Sequence, residues 1–245
     1  MIKSGAKAIL KKFGYRLSRD SEQPPFCGLS NFFPLIKKFG FDPKHIMDVG
    51  ANHGNWTRHA VQYFPRARYT LVEPQDHLKA HIQDLCDGGF QVQWINAGAS
   101  DQAGVLPLYV ADKDRSSTFL RSPRTEKESI QKIEVPVRTL NEIVASSGQP
   151  IPEMVKIDAE GLDLKVLAGA SELTGKTEIF FAEATIGERD FENSALALIK
   201  AMDNAGYRPI DITDMNRSPK HGILWLCEFV FLRKSSKLLD SADRY

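Results

Sequence analysis

Ile46-Met47-Asp48-Val49-Gly50-Ala51-Asn52-His53-Gly54-Asn55-Trp56, followed nineteen residues after Gly54 by Glu73, is the stretch on which the reading of this chain turns. An apolar run enters a glycine turn and a helix opens beyond it, so the stretch reads as buried strand, tight turn and helix start. Glu73 falls where the next parallel strand should end. At the mouth of a doubly wound α/β sheet this arrangement builds a nucleoside site, because glycines let the backbone approach a ligand and a carboxylate accepts both hydroxyls of a ribose.

The turn carries only the first glycine of the Gly-x-Gly-x-x-Gly fingerprint in register and lacks the spacing that seats a pyrophosphate on a helix N-terminus. S-adenosyl-L-methionine, which has a ribose diol and no phosphates, suits it better. Taken alone, Gly50 and Gly54 read equally well as a sharp strand-to-helix turn and nothing more; Glu73 tips the balance.

At 245 residues and 42% hydrophobic content the chain can bury the core of one large α/β domain. Its 32 Lys and Arg against 31 Asp and Glu create no global field for nucleic acid, so specificity has to be local. Cys27, Cys86 and Cys227 are odd in number and lack Cys-x-x-Cys spacing, which argues against a disulfide framework and a zinc site. No apolar run reaches the roughly 18 residues that span a bilayer, and no signal-peptide core opens the chain. A reducing cytoplasm is the expected compartment.

The chain divides into a basic N-terminal segment with linker (1–30), one α/β domain (31–233) and a polar tail (234–245). Lys3, Lys7, Lys11, Lys12, Arg16 and Arg19 accompany Ala6, Ile9, Leu10, Phe13 and Leu17 at helical spacing, which predicts a basic amphipathic helix. Its thin apolar face favours packing on the domain or on a second copy over peripheral contact with a membrane surface. A proline-containing linker follows over 18–30.

From His45 onward strands and helices alternate as in a parallel sheet with crossover helices. Strands are expected over 46–49, 69–72, 90–94, 154–157 and 179–182, in the order 3-2-1-4-5. The strictly alternating 90–94 segment suits an edge and the continuous apolar runs suit the centre. A short β insertion, 105–110 and 133–140, falls between strands three and four, with Pro136 assigning its second strand to an edge. The charged stretch 112–132 reads either as a lid over an acceptor or as a solvated excursion. A helix over 191–205 and a hairpin of 207–212 with 223–232 close the fold.

Ligands of such sheets occupy the crevice beyond the carboxyl ends of the strands, where Asp48, Glu73, Asn96, Asp158 and Glu183 fall. Four carboxylates of five residues are more acid than a structural rim needs. In Lys156-Ile157-Asp158-Ala159-Glu160-Gly161 both acids can aim at the crevice as the strand runs out. The competing reading makes them caps of the following helix, but capping does not need a lysine just before a double acid.

Asp48-Val-Gly-Ala-Asn-His-Gly54, Val72-Glu73-Pro74, Val135-Pro-Val-Arg-Thr-Leu140 and Val155-Lys-Ile-Asp-Ala-Glu-Gly-Leu-Asp-Leu-Lys-Val-Leu-Ala-Gly-Ala170 together resemble the FkbM family of S-adenosylmethionine-dependent methyltransferases, over roughly 45–231. The resemblance implies a Rossmann-like class I methyltransferase sheet of order 3-2-1-4-5-7-6 with strand seven antiparallel, and O-methylation of a hydroxyl on a sugar, glycan or polyketide-type natural product. By position, Asp48, Gly50, Ala51, Asn52, Gly54, Asn55 and Trp56 would line the methionine side of the cofactor, Glu73 with Pro74 the ribose, and Asn96 with Ala97 the adenine.

For proton removal the candidates are Asp158, Glu160 and Glu183 with Lys156 adjusting charge, and His53 and His221 behind them. Asp158, Glu160 and Glu183 also supply the hard oxygen donors that magnesium (Mg2+) takes. A metal-free base and a metal-assisted site both remain open here, the metal-free one favoured. The other functional readings are an NAD-linked oxidoreductase, whose cofactor's ribose Glu73 would also serve, and a non-catalytic scaffold in glycan assembly. The retained rim acids speak against the scaffold. The expected partner is a small-molecule or glycan hydroxyl acceptor, with no nucleic acid.

Overall fold

A computed structural model of the chain describes residues 28–111, 117–120, 130–187, 192–218, 220–240 and 242. The basic segment 1–27 and most of the 112–132 stretch lie outside the described residues, and with them the amphipathic-helix and lid expectations. Among the described residues no helix is long and apolar enough to cross a membrane.

The main sheet has seven strands: β1 (His45–Val49), β2 (Arg68–Val72), β3 (Gln91–Ile95), β7 (Met154–Ile157), β8 (Ile179–Thr185), β9 (Tyr207–Arg217) and β10 (Leu224–Arg233). Their order is β3-β2-β1-β7-β8-β10-β9, with β10 antiparallel to both neighbours and the first five mutually parallel. This is the expected order, with the antiparallel strand inserted beside β8. The half-solvated β3 stands at the edge, as its alternation predicts.

Strand periodicity explains the two cores, because successive side chains point to opposite faces. Met47, Val155, Phe180 and Ala182 face one side with Val166, Leu198 and Met202. Ile46, Met154, Ile179 and Phe181 face the other with Phe33, Trp56 and Ala60. On the second side α2 (Asn55–Tyr63) is joined by a helix absent from the sequence reading, α1 (Leu29–Lys38), which sinks Phe32, Phe33 and Ile36 into the core. Each such burial is worth about 1.5–3 kcal/mol, enough to tolerate Pro34 inside the helix. That proline removes the N–H that would bond the Ser30 carbonyl, and the Tyr63 hydroxyl donates to this carbonyl at 3.5 Å.

A second sheet, in the order β4-β6-β5, lies between β3 and β7 in the chain: β4 (Gly98–Ala99), β5 (Gly104–Ala111) and β6 (Ile130–Arg138). Here Pro136 does not mark an edge, since β6 is the middle strand. Pairing with β4 covers only Val137 and Arg138, so the N–H missing from Pro136 leaves no gap on that side. After β6, α3 (Gln83–Asp87) having preceded β3, come α4 (Leu140–Ser147), α5 (Asp163–Ala168) and α6 (Ala195–Asn204). Thr139 and Glu142 close a capping box at the start of α4. The last helix begins at Ala195 rather than near 191, capped by the Ser194 side chain. In the tail, Ser236 is buried and Leu238 and Leu239 pack against the second core.

Candidate active site

A cleft of about 730 Å³ opens beyond the carboxyl ends of β1, β2, β7 and β8, within the range of small-ligand sites. It gathers Gly50, Ala51, Asn52, Asn55, Trp56, Glu73, Pro74, Lys156, Asp158, Glu160 and Glu183 in its walls. Asn96 and Ala97 are not brought there: the Asn96 amide instead donates to the carbonyls of Glu73 (3.4 Å) and Pro74 (3.1 Å), fixing the loop after β2. His221 sits on the β9–β10 turn away from the cleft walls.

Gly50 lines the cleft, and both glycines are also required by how the chain packs on itself. A Cβ on Gly50 would stand 1.9 Å from the Asp158 carbonyl oxygen, and one on Gly54 2.8 Å from Ile82 Cγ2, while both have φ near +74° (73° and 74°). The first glycine thus lets the ends of β1 and β7 meet, and the second seats α2 against the Ile82 side chain. Their approach is to protein, and it brings Asp158 to the turn.

Glu73 is 3% exposed and closely held. Its Oε2 accepts from the Asn52 N–H at 2.9 Å, and its Oε1 from the Gln75 N–H at 3.0 Å and the Gln75 side-chain amide at 3.3 Å. Burial raises its pKa, and the Gln75 and Asn52 amides pull it back. A carboxylate oriented by backbone donors at the end of the second strand is what a vicinal diol needs as acceptor.

Lys156 is the centre of charge. It is a cross-strand partner of Asp48, and its Nζ lies 3.5 Å from Asp48 Oδ1 while donating at 3.1 Å to both Asp158 Oδ2 and the Gly50 carbonyl. Asp48, fully buried, also accepts from the Thr57 hydroxyl at 2.6 Å. Burial opposes the Lys156 charge, but Asp158, Asp48, Glu228 and Glu183 outweigh it and hold the ammonium above its ordinary range. Asp48 is fully buried and is not among the cleft-lining residues; it anchors the lysine.

The remaining acids exceed what one ammonium can neutralise. Burial first, and Asp158 second, push Glu160 up to about 8 and Glu183 up to about 10. Both carboxyls hold their proton at neutral pH. Two further buried acids escaped the sequence reading. Glu228, opposite Glu183 across the β8–β10 ladder, accepts from the Thr213 hydroxyl at 2.5 Å and is pushed up to about 7 chiefly by burial. Asp163 accepts from the Asn193 amide at 3.0 Å and is raised to about 7 by the same causes as Glu160. The same amide donates to the Glu183 carbonyl at 3.1 Å, tying α5 to β8.

Asp158, Glu160 and Glu183 do not form the cage expected for magnesium. Among the described residues no group of three or more His, Cys, Asp or Glu side chains is arranged to hold a metal ion. Asp158 and Glu160 both line the cleft, with Glu160 and Gly161 left-handed at φ 52° and 99° where the chain leaves β7. Among the described residues that line the cleft, Lys156 supplies an ammonium at the rim.

The raised acids link the site to stability. Folded Asp163, Glu228, Glu160 and Glu183 keep protons that the unfolded chain releases near pH 4, so their contribution is complete below that pH and is lost as pH climbs through about 7, 8 and 10. His45 works the other way, since burial lowers its pKa from 6.5 and its contribution is lost in acid. The ligand-free protein should melt at a higher temperature at pH 6.5 than at pH 9, as scanning calorimetry would record; a rise over that interval contradicts the assignment of buried neutral carboxyls.

The Methyltransferase FkbM domain matches residues 48–209, well over half of the chain. The 2-O-methyltransferase NoeI of Sinorhizobium fredii is 23% identical over 150 residues, covering 56% of this chain and 62% of that protein. The methyltransferase sdnD of Sordaria araneosa is 26% identical over 157 residues, covering 52% and 60%. The chain thus spans about three-fifths of the length of the curated relatives it matches. Among solved structures, cofactor-bound Rv0187 from MTB aligns with a TM-score of 0.51 at 13% identity, covering 94% of this chain and 89% of that one. The O-methyltransferase TomG of Streptomyces achromogenes, solved with S-adenosylmethionine, aligns at 0.50 and 11% identity, covering 95% and 89%. At such identities the structural likeness speaks for the fold alone, the Rossmann-like fold of class I methyltransferases.

Proposed function

Because this chain belongs to the FkbM family of S-adenosylmethionine-dependent methyltransferases, we propose that it is an O-methyltransferase acting on a hydroxyl of a sugar, glycan or polyketide-type natural product. The observation that carries the reading is Glu73, buried at the end of β2 and held by the Asn52 and Gln75 amides toward a cleft of cofactor size. The site fits S-adenosylmethionine: Glu73 is an acceptor for the ribose diol, and the Asp158 carboxyl lines the same cleft. That NoeI is named a 2-O-methyltransferase supports the hydroxyl as acceptor type.

The cofactor, when bound, supplies a methyl group on a sulfonium. The chain's own residues must then align the acceptor oxygen and take its proton as the new bond forms. Asp158 is the base in this reading. It lines the cleft and is 34% exposed, with one oxygen held by Lys156, whereas Glu160 and Glu183 already carry protons at neutral pH. Those two neutral carboxyls are donors, suited to hold hydroxyl oxygens of a polyol.

The test is transfer of labelled methyl from S-adenosylmethionine to a panel of hydroxylated glycans and small molecules, run before and after exhaustive chelation. Turnover that survives chelation unchanged is expected. Strict loss restored by magnesium contradicts a base-only site, and labelling confined to amine nitrogens contradicts the hydroxyl assignment.

A further inference from the structure

Among the described residues, three buried polar side-chain atoms in the cleft walls have no hydrogen-bond partner: Gln75 Oε1, Ser117 Oγ and Trp56 Nε1. A buried polar group left unpaired costs about 1–3 kcal/mol, so such atoms mark where a ligand completes the network. Gln75, which bonds Glu73, and Ser117, next to the Thr118 that pairs with β5, line the same cleft as Pro74, Gly98, Ala99 and Phe119.

We propose that Gln75 and Ser117 read the adenine edge of the cofactor in a slot whose far wall, residues 117–120, is contributed by the inserted β-sheet region. This rests on the cofactor reading above. The donor and acceptor count fits the base. Gln75 commits its amide nitrogen to Glu73, which leaves its oxygen as an acceptor suited to an exocyclic amine. The Ser117 hydroxyl can donate to a ring nitrogen.

The wall is built to hold position. Thr118 exchanges two 2.9 Å backbone bonds with Tyr109 of β5, and its hydroxyl donates to the Glu160 carbonyl at 3.1 Å. A Cβ on Gly98 would lie 2.9 Å from Phe119 Cζ, so the glycine lets the Phe119 ring press on β4. An aromatic ring in a cleft that also carries unpaired polar atoms is how proteins commonly seat a base. Because Thr118 grips the Glu160 carbonyl, the slot and the acid-bearing loop share one support.

The experiment is calorimetric titration of S-adenosylhomocysteine, with its 1-deaza and 3-deaza analogues and its N6,N6-dimethyl analogue, into the unaltered chain and into Ser117→Ala. Loss of one hydrogen bond should weaken S-adenosylhomocysteine roughly 2- to 13-fold in the variant. In the unaltered chain one deaza analogue should bind more weakly than the parent, and in Ser117→Ala that difference should vanish, the mark of direct coupling. The dimethyl analogue should bind both proteins weakly. Phe119→Leu, which keeps an apolar side chain but removes the ring, should also lose affinity. If the unaltered chain binds S-adenosylhomocysteine but Ser117→Ala binds it equally, or keeps the deaza difference, the slot assignment is overturned while the cofactor reading stands. If the unaltered chain binds none of them, both fall.

Discussion

Replacing Asp158 by Asn should lower the rate of methyl transfer by a factor on the order of 10² to 10⁴, the usual worth of a positioned general base, while cofactor affinity changes no more than a few-fold. Asn keeps the shape of the side chain at the end of β7 and can still accept from Lys156, now 3.1 Å from Asp158 Oδ2. It cannot take a proton. The contrast is Glu160→Gln, which exchanges a carboxyl already neutral at pH 7 for a neutral amide and should cost far less. Initial rates with one acceptor, alongside calorimetric cofactor binding, separate the two. An unchanged rate in Asp158→Asn removes that residue from the chemistry, and a larger loss in Glu160→Gln moves the base there.

The other large effect falls on stability. Lys156→Met should destabilise the fold by about 3–5 kcal/mol, because it leaves Asp48 buried at 0% exposure without its counter-charge. For a chain of this size that corresponds to a thermal midpoint lower by on the order of 10 °C. Removing both charges, in Asp48→Asn with Lys156→Met, should recover part of the loss, since a buried pair mutated on both sides leaves no orphan ion. Thermal melts of the single and double variants decide it. A single variant as stable as the parent means the Lys156 network does not support the fold.

Much of the architecture was legible because it repeats local rules. The glycine turn, the acid after β2, the alternation of Gln91–Ile95 and the apolar runs of Met154–Ile157 and Ile179–Thr185 each state their place in a parallel sheet. Helix α1 was missed because Pro34 argues locally against a helix, although Phe32, Phe33 and Ile36 already carried its buried face. Only tertiary burial outweighs the proline.

At the site, the rim acids were legible and their roles were not. Nothing local distinguishes Asp48, spent on Lys156 and Thr57, from Asp158, open to the cleft. Asn96 follows β3 as an adenine contact should, yet its amide turns back to the carbonyls of Glu73 and Pro74. The need for glycine at position 50 comes from the Asp158 carbonyl, 108 residues further along the chain, which no window of sequence reveals. Glu228 did leave a signal: a lone acid in the apolar run of Leu224–Arg233 asks what it meets. The answer, Glu183 across the ladder and Thr213 beside it, depends on strand order.

Cofactor binding through Glu73 is the property on which the proposed activity most directly depends. Calorimetric titration of S-adenosylmethionine into the purified chain and into Glu73→Ala should show saturable one-to-one binding by the first. Affinity should be weaker by roughly 10- to 150-fold in the second, for the loss of charge-assisted hydrogen bonds worth about 1.5–3 kcal/mol. No heat of binding in the unaltered chain, or equal affinity in the two, contradicts it.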